Sequence, residues 1–383
     1  MLKNLLNLDS RDLEEFFLDL GEKPFRARQL IRWMHKEKQQ KFSLMTNLSQ
    51  NLQKTLESNS TVETPRAISE KVAPDGTIKW LIEVDSVNSV ETVFIPEKNR
   101  GTLCVSAQVG CALECAFCST GRQGFNRNLT VAEIVGQLWF ASKILDSNLN
   151  LSRTSMQENI VQPISNIVMM GMGEPLANYR NVVKAIQIML DDNAYGYSRR
   201  RITLSTSGIV PSIDRLLTDC PVSLAVSLHA PDDDLRDQLV PINKKYPIKS
   251  LMEACLRYAN RASVTDDCVG TGADVSRAKD YITFEYVMLA GVNDSTRQAK
   301  VLAALLSDVP CKVNLIPFNP FKDSGFKTSS LDTIKNFRDI LKSKGYVCTI
   351  RKTRGQEIDS ACGQLAGSFK DKTGRQSLNV PAL

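Results

Sequence analysis

Apolar positions recur at helical spacing over the first sixty residues of the chain. One periodic segment follows Asp9 and Ser10, a second opens at Pro24, and a third covers residues 49–57. Asp and Ser before a periodic segment are typical helix N-caps, and proline is favoured at the first helical position. The pattern therefore predicts a small helical accessory domain over residues 1–60.

The pattern changes after residue 60 to short runs of alternating, β-branched residues. Strands are indicated over residues 61–70, 77–84 and 90–95, and the Asp75-Gly76 pair predicts a turn between the first two. Strands joined by such short connections pair antiparallel. We therefore expect a short β extension over residues 61–96 that leads into the main domain.

Strand-like and helix-like segments then alternate along most of the remaining chain. Apolar, β-branched runs predict six strands, over residues 103–109, 166–172, 201–206, 222–228, 281–289 and 312–318. Helical periodicity predicts the segments between and after them, over residues 131–145, 179–190, 211–218, 248–262, 295–306 and 331–344. Such alternation indicates an α/β fold with a parallel sheet. Because a full barrel needs eight repeats, we predict a partial (β/α)6 TIM-like barrel over residues 97–345.

Three stretches fall outside this alternation. Residues 146–165 and 263–280 are polar and carry no apolar periodicity, and we interpret them as insertions in connecting loops. Residues 346–383 form a C-terminal segment in which a cysteine-bearing loop is followed by a polar tail. We expect this tail to be mobile from residue 369 onwards.

The composition excludes several classes of protein. Of the 383 residues 42% are hydrophobic, which allows a large core, yet no run is long and apolar enough for a membrane span. The first residues carry charges where a signal peptide would be apolar. Ten cysteines without such a signal are typical of a reducing compartment, where thiols serve metals or redox chemistry. We expect a cytoplasmic protein with no membrane partner.

The net charge of +6 is a small excess, with 48 basic against 42 acidic residues. Its distribution is more informative, because basic residues cluster in four runs. These runs are residues 26–38, Arg199-Arg200-Arg201, Lys244-Lys245 and Arg351-Lys352-Thr353-Arg354. Charge runs are often only solvated surface, but four of them favour an anionic substrate, and the basic helical domain favours RNA.

Three cysteines, Cys111, Cys115 and Cys118, are spaced C-x3-C-x2-C. Thiolates at such spacing can converge on one metal centre, and iron–sulfur clusters are held by cysteine thiolates. Structural zinc usually takes four ligands in two pairs, and the two histidines, His35 and His229, are distant in sequence. The spacing therefore predicts a 4Fe-4S cluster with one iron left open, with packing cysteines or half a zinc site as the alternatives.

Other candidate residues fall at the predicted carboxyl ends of strands, where α/β barrels place functional groups. They are Gly173 and Glu174 in a Gly-Met-Gly-Glu-Pro stretch, Ser205, Ser227, Leu228, His229 and Asn319. Each has a structural alternative, such as a tight turn, a helix cap or a hydrogen-bonding histidine. Their joint position beside the cysteine loop favours a shared ligand site.

Two further cysteines are set apart from the rest. Cys104 lies on the first predicted barrel strand, and Cys362 lies in a loop of small residues and glycines that would fit close to a ligand. Two neighbouring thiols could form a transient disulfide during turnover, but the sequence does not decide whether these two meet. Four others are interpreted as buried hydrophobic residues: Cys220, Cys255, Cys311 and Cys348.

Several segments together resemble one enzyme family. They are Val90-Glu91-Thr92, residues 101–106, the cysteine motif with residues 119–129, and residues 171–175, 227–230 and 351–355 with the Cys362 loop. Over nearly its whole length the chain is similar to the dual-specificity 23S rRNA and tRNA adenine-C2 methyltransferases of the radical S-adenosylmethionine superfamily. Only the two polar insertions and the last residues depart from that family's usual layout.

The resemblance implies cofactors and roles. The three cysteines would hold the cluster, its open iron would bind S-adenosylmethionine, and the strand-end residues named above would contact that cofactor. One S-adenosylmethionine would methylate Cys362, and a second would be cleaved to a radical that takes hydrogen from the new methyl group. The resulting radical would add to adenine C2, and loss of one electron and of the C2 proton, with Glu91 as proton acceptor, would follow. Cys104 would then attack the Cys362 sulfur and release the RNA, leaving a disulfide.

The resemblance also implies partners. The substrates would be one adenosine at the peptidyl transferase centre of 23S rRNA and one in the anticodon loop of certain tRNAs. An external low-potential donor such as flavodoxin or ferredoxin would supply electrons to a monomeric enzyme. The alternatives are an adenine-C8 methyltransferase of the antibiotic-resistance type and a non-catalytic iron–sulfur RNA-binding protein. A glycyl-radical activating enzyme would leave Cys104 and Cys362 unexplained.

Overall fold

Residues 2–60 fold into a small helical module, as the pattern predicts. The structure, a computed structural model, describes residues 2–98, 100–152, 163–260, 281–321 and 324–373. The module, described throughout, contains three α-helices: α1 Ser10–Asp19, α2 Phe25–Ile31 and α3 Gln50–Asn59. A π-helical turn, Arg32–Lys36, continues α2. Strands β1 Lys3–Asn4 and β2 Ser60–Thr61 pair in parallel, so the two ends of the module meet.

Capping side chains fix where these helices begin. The Asp9 carboxylate accepts hydrogen bonds from the backbone N–H groups of Arg11 and Asp12, and the Asp9 N–H donates to the Asp12 carboxylate. The apolar faces of the helices are buried in the same hydrophobic core as the main domain. The Trp139 indole N–H also donates to the Met34 carbonyl at 2.8 Å. The module is therefore packed firmly against the rest of the chain.

Across the described ranges, ten strands form one continuous sheet. Three antiparallel strands at one edge match the predicted β extension: β3 Arg66–Val72, β4 Ile78–Glu83 and β5 Ser89–Glu97. Seven parallel strands follow: β6 Arg100–Cys104, β9 Asn166–Met169, β10 Ile202–Thr206, β11 Ser223–Ser227, β12 Ile282–Met288, β13 Cys311–Pro317 and β14 Val347–Ile350. Because β5 pairs antiparallel with β6, the extension belongs to the same sheet.

The sheet differs from the sequence pattern at two places. The strand predicted over residues 103–109 is divided: β6 ends at Cys104, and a separate strand β7 Gln108–Gly110 pairs antiparallel with β8 Phe125–Asn128. The division arises because the N–H groups of Ala107 and Gln108 both donate to the Met172 carbonyl. β14 is an additional parallel strand. The pattern missed it because it is a four-residue edge strand with one fully buried side chain.

Helices alternate with the parallel strands and confirm the predicted α/β partial barrel. The six predicted helices are α5 Val131–Ser152, α6 Tyr179–Leu190, α7 Val210–Asp219, α9 Ile248–Ala259, α10 Thr296–Leu305 and α11 Leu331–Ser343. Two short helices were not predicted: α4 Ser119–Arg122 and α8 Asp233–Leu239. Among the helices that the structure describes, none combines the length and the apolar character that crossing a bilayer requires.

The two faces of the parallel strands differ in chemistry. Residues such as Leu103, Leu204 and Val313 are completely buried in the core. Their neighbours Thr102 and Thr203 point the other way and line a concave cavity. Because side chains alternate along a strand, Cys104 lies on the concave face with Thr102.

The structure describes only part of the segments predicted to be insertions or a mobile tail. Residues 146–152 form the end of α5, whereas residues 153–162 and the whole 263–280 stretch lie outside the described residues. The start of the tail is not mobile as expected but packed. The Phe125 N–H donates to the Asp371 carboxylate at 2.9 Å, and the Lys372 N–H donates to the Phe125 carbonyl at 3.0 Å. Residues 374–383 lie outside the described residues.

Candidate active site

The three motif cysteines lie in the loop that follows β7. The Cys111 N–H donates to the Gly124 carbonyl at 2.7 Å, and Gly110 before it has a φ of +79°. A side chain at Gly110 would overlap that carbonyl, so the turn into the loop requires glycine. Cys118 ends the loop just before α4. All three thiols line one cavity at the carboxyl-end side of the sheet.

The three motif thiols are a suitable donor set for an iron–sulfur cluster, because they line one cavity and such clusters are held by cysteine sulfur, from which iron displaces the proton. Burial raises the pKa of Cys115 to about 12 and raises the pKa values of Cys111 and Cys118, and neighbouring motif thiols add to the effect on Cys111 and Cys115. Among the described residues, no three metal-ligating side chains converge as a single ion requires. A cubane cluster binds its thiolates on different irons, so it does not need that convergence.

Gly173 and Glu174 lie after β9 and face the same cavity. Gly173 has a φ of +91°, and a side chain there would overlap Gln108. The Glu174 carboxylate is buried and accepts backbone N–H bonds from Leu176 at 3.1 Å and from Ser207 at 2.8 Å. Burial raises the pKa of Glu174, and these hydrogen bonds oppose the shift. Its carboxylate therefore ties the end of β10 to the loop after β9.

His229 presents a neutral ring to this cavity. Its Nδ1 accepts the Val287 N–H at 3.0 Å, so the ring proton is assigned to Nε2. Burial lowers the pKa of His229 to about 3, and the charge of Arg236 acts in the same direction. The Phe117 ring packs edge-on against it, with ring centroids 4.4 Å apart. His229 can therefore donate a hydrogen bond to a ligand without carrying charge.

The other predicted contact residues are distributed around His229. Ser205 and Ser227 lie at the ends of β10 and β11 and line the same cavity. Leu228 is completely buried, and its N–H donates to the Glu285 carbonyl at 3.1 Å. Asn319 lies after β13, where its side-chain amide donates to the Cys362 carbonyl at 3.4 Å. The structure thus places Ser205 and Ser227 in the cavity of the motif cysteines, whereas Leu228 is buried in the core and Asn319 lines the neighbouring cavity.

Arg236 on α8 is a residue that the sequence pattern did not single out. Its guanidinium is completely buried and donates to the backbone carbonyls of Leu228 at 3.1 Å, Ser207 at 2.7 Å and Ser227 at 3.0 Å. It also donates to the Asn243 side chain at 2.8 Å. Burial lowers its pKa to about 10, while Cys115 and nearby carboxylates oppose this shift. Arg236 therefore fixes the loops after β10 and β11; no local sequence signal marks such a role.

The loop that carries Cys362 is docked onto the cysteine motif. The Ser119 N–H donates to the Gly363 carbonyl at 2.7 Å, and the Thr120 hydroxyl donates to the Leu365 carbonyl at 2.6 Å. The Cys362 side chain is exposed and lines the cavity of the motif cysteines. Residues 244 positions apart, Cys118 and Cys362, therefore share one site.

Cys104, Cys362 and Arg351 form a second cluster at the same site. Burial raises the pKa of Cys104 to about 12; Cys362 contributes to this shift, and the charge of Arg351 opposes it. Both cysteines are free thiols. The guanidinium of Arg351 lies 3.6 Å from the Glu285 carboxylate. Arg351, from the last basic run of the sequence, thus places a cation beside the two thiols. The sequence pattern did not indicate this position for it.

Glu91 lies on β5, apart from the motif cysteines. Its carboxylate is 2.9 Å from the Lys79 ammonium and accepts the Ala366 N–H at 2.9 Å. It is not one of the described residues that line the cavity of the motif cysteines. Ala366 follows Cys362 by four positions. Glu91 is therefore connected to the site by its hydrogen bond to the loop that carries Cys362.

Comparison with known proteins agrees with this arrangement. Residues 3–62 match the ribosomal RNA large subunit methyltransferase N-terminal domain, and residues 155–299 match the Radical SAM superfamily. The structure is similar to that of a radical SAM methyltransferase from Sphaerobacter thermophilus, with 39% identity and a TM-score of 0.82. The match covers 95% of this chain and 99% of that one.

Two other structures are more distant. A domain of pyruvate-formate lyase-activating enzyme from Bacteroides vulgatus ATCC 8482 is 17% identical, with a TM-score of 0.34 over 49% of this chain and 99% of that one. Streptococcus suis SuiB bound to S-adenosylmethionine is 11% identical, with a TM-score of 0.42 over 66% of this chain and 50% of that one. Similarities this weak support no conclusion about this chain.

The first similarity is decisive, because it extends over nearly the whole of both chains at high identity. The amino-terminal match adds the module that a radical SAM core by itself does not include. The chain therefore belongs to the radical S-adenosylmethionine ribosomal RNA large subunit methyltransferase family.

Proposed function

We propose that this chain methylates C2 of an adenosine in 23S rRNA and in the anticodon loop of certain tRNAs, with Cys362 as the methyl carrier. One observation carries the proposal: the loop of Cys362 is hydrogen-bonded to Ser119 and Thr120 beside the motif cysteines, and its thiol is exposed in their cavity. A thiol in this position is accessible both to a cofactor and to an incoming base.

The cofactor sites follow from the residues around the cavity. Cys111, Cys115 and Cys118 would hold a 4Fe-4S cluster, and the strand-end residues from Gly173 to Asn319 named above would contact S-adenosylmethionine. When bound, these groups would supply a methyl group and radical chemistry, which suits adenine C2 because this electron-poor carbon is a weak nucleophile. The chain contributes preorganised hydrogen-bonding groups, among them the Nε2–H group of His229 and the hydroxyls of Ser205 and Ser227.

Cys104 is the proposed resolving thiol. Its sulfur would attack the Cys362 sulfur, forming the disulfide and breaking the bond between Cys362 sulfur and the carbon attached to adenine. The electron pair would go to that carbon, which takes a proton and becomes the methyl group of the product. An external reductant would return the disulfide to two thiols. Support comes from the sheet: Cys104 shares the concave face with Thr102, and Cys362 lines the cavity on that face.

Glu91 is the proposed acceptor of the C2 proton. Val93 pairs with Cys104 across β5 and β6, and side chains two positions apart share a face of the sheet, so Glu91 lies on the face of Cys104. Its carboxylate would have to exchange the contact with Lys79 or with Ala366. A Glu91→Gln variant should therefore accumulate the RNA-bound intermediate on Cys362. Free methylated RNA at the normal rate would rule out this role.

The remaining assignments are also part of the proposal. Two S-adenosylmethionine molecules would be consumed per turnover, and a donor of the flavodoxin or ferredoxin type would supply electrons to a monomer. The helical module over residues 1–60 would bind RNA, the β extension over 61–96 would support the C-terminal segment over 346–383, and residues 97–345 would form the catalytic barrel.

The test is identification of the methylated nucleoside. Anaerobically prepared enzyme, RNA and S-adenosylmethionine are incubated with a reductant, and the digested RNA is analysed by mass spectrometry against standards. We expect 2-methyladenosine from the wild type and from Cys220→Ala, whose buried thiol lies elsewhere, and none from Cys362→Ala. Recovery of 8-methyladenosine would make the chain a C8 enzyme. Methylation of the RNA by the Cys362→Ala variant would show that Cys362 is not the methyl carrier.

The cluster is tested separately by absorbance. Replacing Cys111, Cys115 or Cys118 with Ala should abolish the visible iron–sulfur absorbance of anaerobically prepared protein, because each thiolate holds one iron. Cys255→Ala, at a completely buried site in the core, is the matched control and should retain it. An unchanged spectrum in the motif variants would contradict the assignment.

A further inference from the structure

The concave face of the sheet contains a second cavity, which meets the cavity of the motif cysteines at Cys362 and to which the proposed function assigns no ligand. In a closed barrel, branched apolar side chains fill the interior. Here the concave positions of five parallel strands instead carry short polar side chains: Thr102, Asn166, Thr203, Thr283 and Asn314. Such a face cannot pack as an apolar core, because its hydroxyl and amide groups need hydrogen-bond partners. The cavity is therefore suited to a polar ligand.

Basic side chains surround this polar surface. Arg100, Arg200, Arg201 and Lys312 lie at or next to the amino ends of β6, β10 and β13, and Lys352 and Arg354 follow β14. We call the cavity bounded by these six residues the basic chamber. Two of the four basic runs in the sequence, which lie about 150 residues apart, thus meet on one surface.

Several of these charges are available to a ligand. Arg100 is paired with Glu97, and Arg354 lies 3.8 Å from the Asp75 carboxylate. Within the part of the chain that the structure describes, no carboxylate lies within ion-pair distance of Arg200, Lys312 or Lys352, and all three are exposed. Exposed cations without counter-charges attract polyanions and lose that attraction as salt is added.

The basic chamber opens towards the methyl carrier. Cys362 and Arg351 line both this chamber and the cavity of the motif cysteines, as do Met170, Glu285 and Ile316. The two cavities therefore approach Cys362 from different sides. A group that enters through the chamber can reach this thiol past Asn319 alone among the residues proposed to hold S-adenosylmethionine, because Gly173, Glu174, Ser205, Ser227 and His229 line the other cavity.

We propose that the basic chamber binds the phosphates of the RNA substrate and admits the target nucleotide to Cys362 from the amino-end side of the sheet. The inference rests on the proposed function and adds the side of the sheet from which the target nucleotide reaches Cys362. Cations at the rim suit the phosphate backbone, and the Thr and Asn side chains below them suit the ribose and base of an unstacked nucleotide. The run Lys244-Lys245 does not line the chamber, and neither do Lys36 and Lys38, which line a separate cavity.

The experiment measures RNA binding without turnover. A fluorescent RNA stem-loop with an unpaired adenosine is titrated with wild type, Arg200→Glu, Lys312→Glu and a matched control, Lys300→Glu. Lys300 is an exposed lysine on the outer helix α10. We expect each chamber variant to raise Kd at least about tenfold at low salt and to reduce the slope of log K against log salt by about one. Lys300→Glu should behave as wild type, and circular dichroism checks that all four are folded.

The outcomes separate this inference from the proposed function. If the chamber variants bind as Lys300→Glu does while the wild type still forms methyladenosine, the direction of approach is wrong and the function stands. If the wild type binds no RNA, both this inference and the proposed function are wrong. A competition arm uses inorganic phosphate at constant ionic strength. Because the chamber would hold RNA phosphates, phosphate should displace the RNA more effectively than chloride does, and equal displacement by the two anions would contradict a phosphate site.

Discussion

The ammonium group of Lys79 lies 2.9 Å from the carboxylate of Glu91, and both side chains are more than nine-tenths buried. Each also holds the segment that carries Cys362. Lys79 donates to the Asp359 carbonyl at 3.1 Å, and the Ala366 N–H donates to Glu91 at 2.9 Å. Because these contacts lie on either side of Cys362, the ion pair on β4 and β5 positions the loop. The β extension is thus a support for the loop that carries Cys362.

Loss of this ion pair should loosen the Cys362 loop. Removing one partner of a buried pair leaves an uncompensated charge, which costs about 3–5 kcal/mol. We expect Lys79→Met to lower the free energy of unfolding by about that amount and to speed alkylation of Cys362 by iodoacetamide several-fold. Urea denaturation and peptide mass spectrometry measure the two effects.

A neighbouring lysine provides the control. Lys71 lies on β3 beside the same surface but is exposed, so Lys71→Met should change stability by less than about 1 kcal/mol. The double variant Lys79→Met/Glu91→Gln should recover part of the stability, because it removes both charges. Wild-type alkylation kinetics in Lys79→Met would show that the pair does not position the loop.

Cys104→Ala should trap the RNA on the protein. Without a resolving thiol the bond between Cys362 and the RNA persists, so a protein–RNA adduct that resists thiol reagents should appear on denaturing gels. Cys348→Ala, at a buried thiol in the core, should form free product as the wild type does. Free, fully methylated RNA at normal yield from Cys104→Ala would exclude the resolving role.

The wild type should release RNA faster as the pH rises. The thiolate is the attacking form, and burial raises the pKa of Cys104 to about 12, so only a small fraction is ionised near pH 7. Single-turnover release should therefore accelerate between about pH 7 and pH 9. A rate independent of pH would mean that another step, or a base beside Cys104, sets the rate.

Arg236→Met should destabilise the loops after β10 and β11. The variant removes the donor to three backbone carbonyls, those of Leu228, Ser207 and Ser227, at a completely buried site. Unsatisfied buried acceptors cost on the order of 1–3 kcal/mol each, and local relaxation limits the sum. We expect a loss of about 3 kcal/mol in urea denaturation and weaker binding of S-adenosylmethionine by anaerobically prepared protein. Arg257→Met, at a half-exposed ion pair with Asp214, should cost less than about 1 kcal/mol.

Acidification should destabilise the contact between the helical module and the barrel through His35. Burial lowers the pKa of His35 to about 4, and Asp191 opposes this shift only in part. Since the unfolded chain binds this proton more readily, stability is complete above the unfolded pKa near 6.5 and falls as the pH decreases towards 4. The loss attributable to His35 is up to about 3 kcal/mol.

A His35→Gln variant isolates this effect. Its unfolding free energy should vary less between pH 6.5 and 4.5 than that of the wild type, whereas both retain His229 and the carboxylates. The glutamine amide can keep a hydrogen bond to Tyr195, the partner of His35 Nδ1 at 3.3 Å. If the unfolding free energies of the two proteins changed with pH in parallel, the assignment of this pH dependence to His35 would be wrong.

The local features of this protein could be predicted from its amino-acid sequence. Apolar periodicity predicted α6 at its observed bounds and placed most other strands and helices of the repeat within about three residues, because these patterns depend on neighbours along the chain. The exceptions are the divided strand over residues 103–109 and α5, which extends beyond its predicted end at residue 145. The spacing of Cys111, Cys115 and Cys118 likewise predicted a shared ligand site, and the three thiols line one cavity because a single short loop carries them.

Contacts between residues far apart in the sequence depend on the folded chain. The docking of residues 355–373 brings Cys362 to Cys104 and to the motif cysteines, and the ion pair of Lys79 with Glu91 depends on the register of β4 and β5. Arg236 and the basic chamber depend on the curvature of the whole sheet. None of these contacts leaves a periodic signal, because each joins segments whose separation along the chain is unrelated to their distance in space.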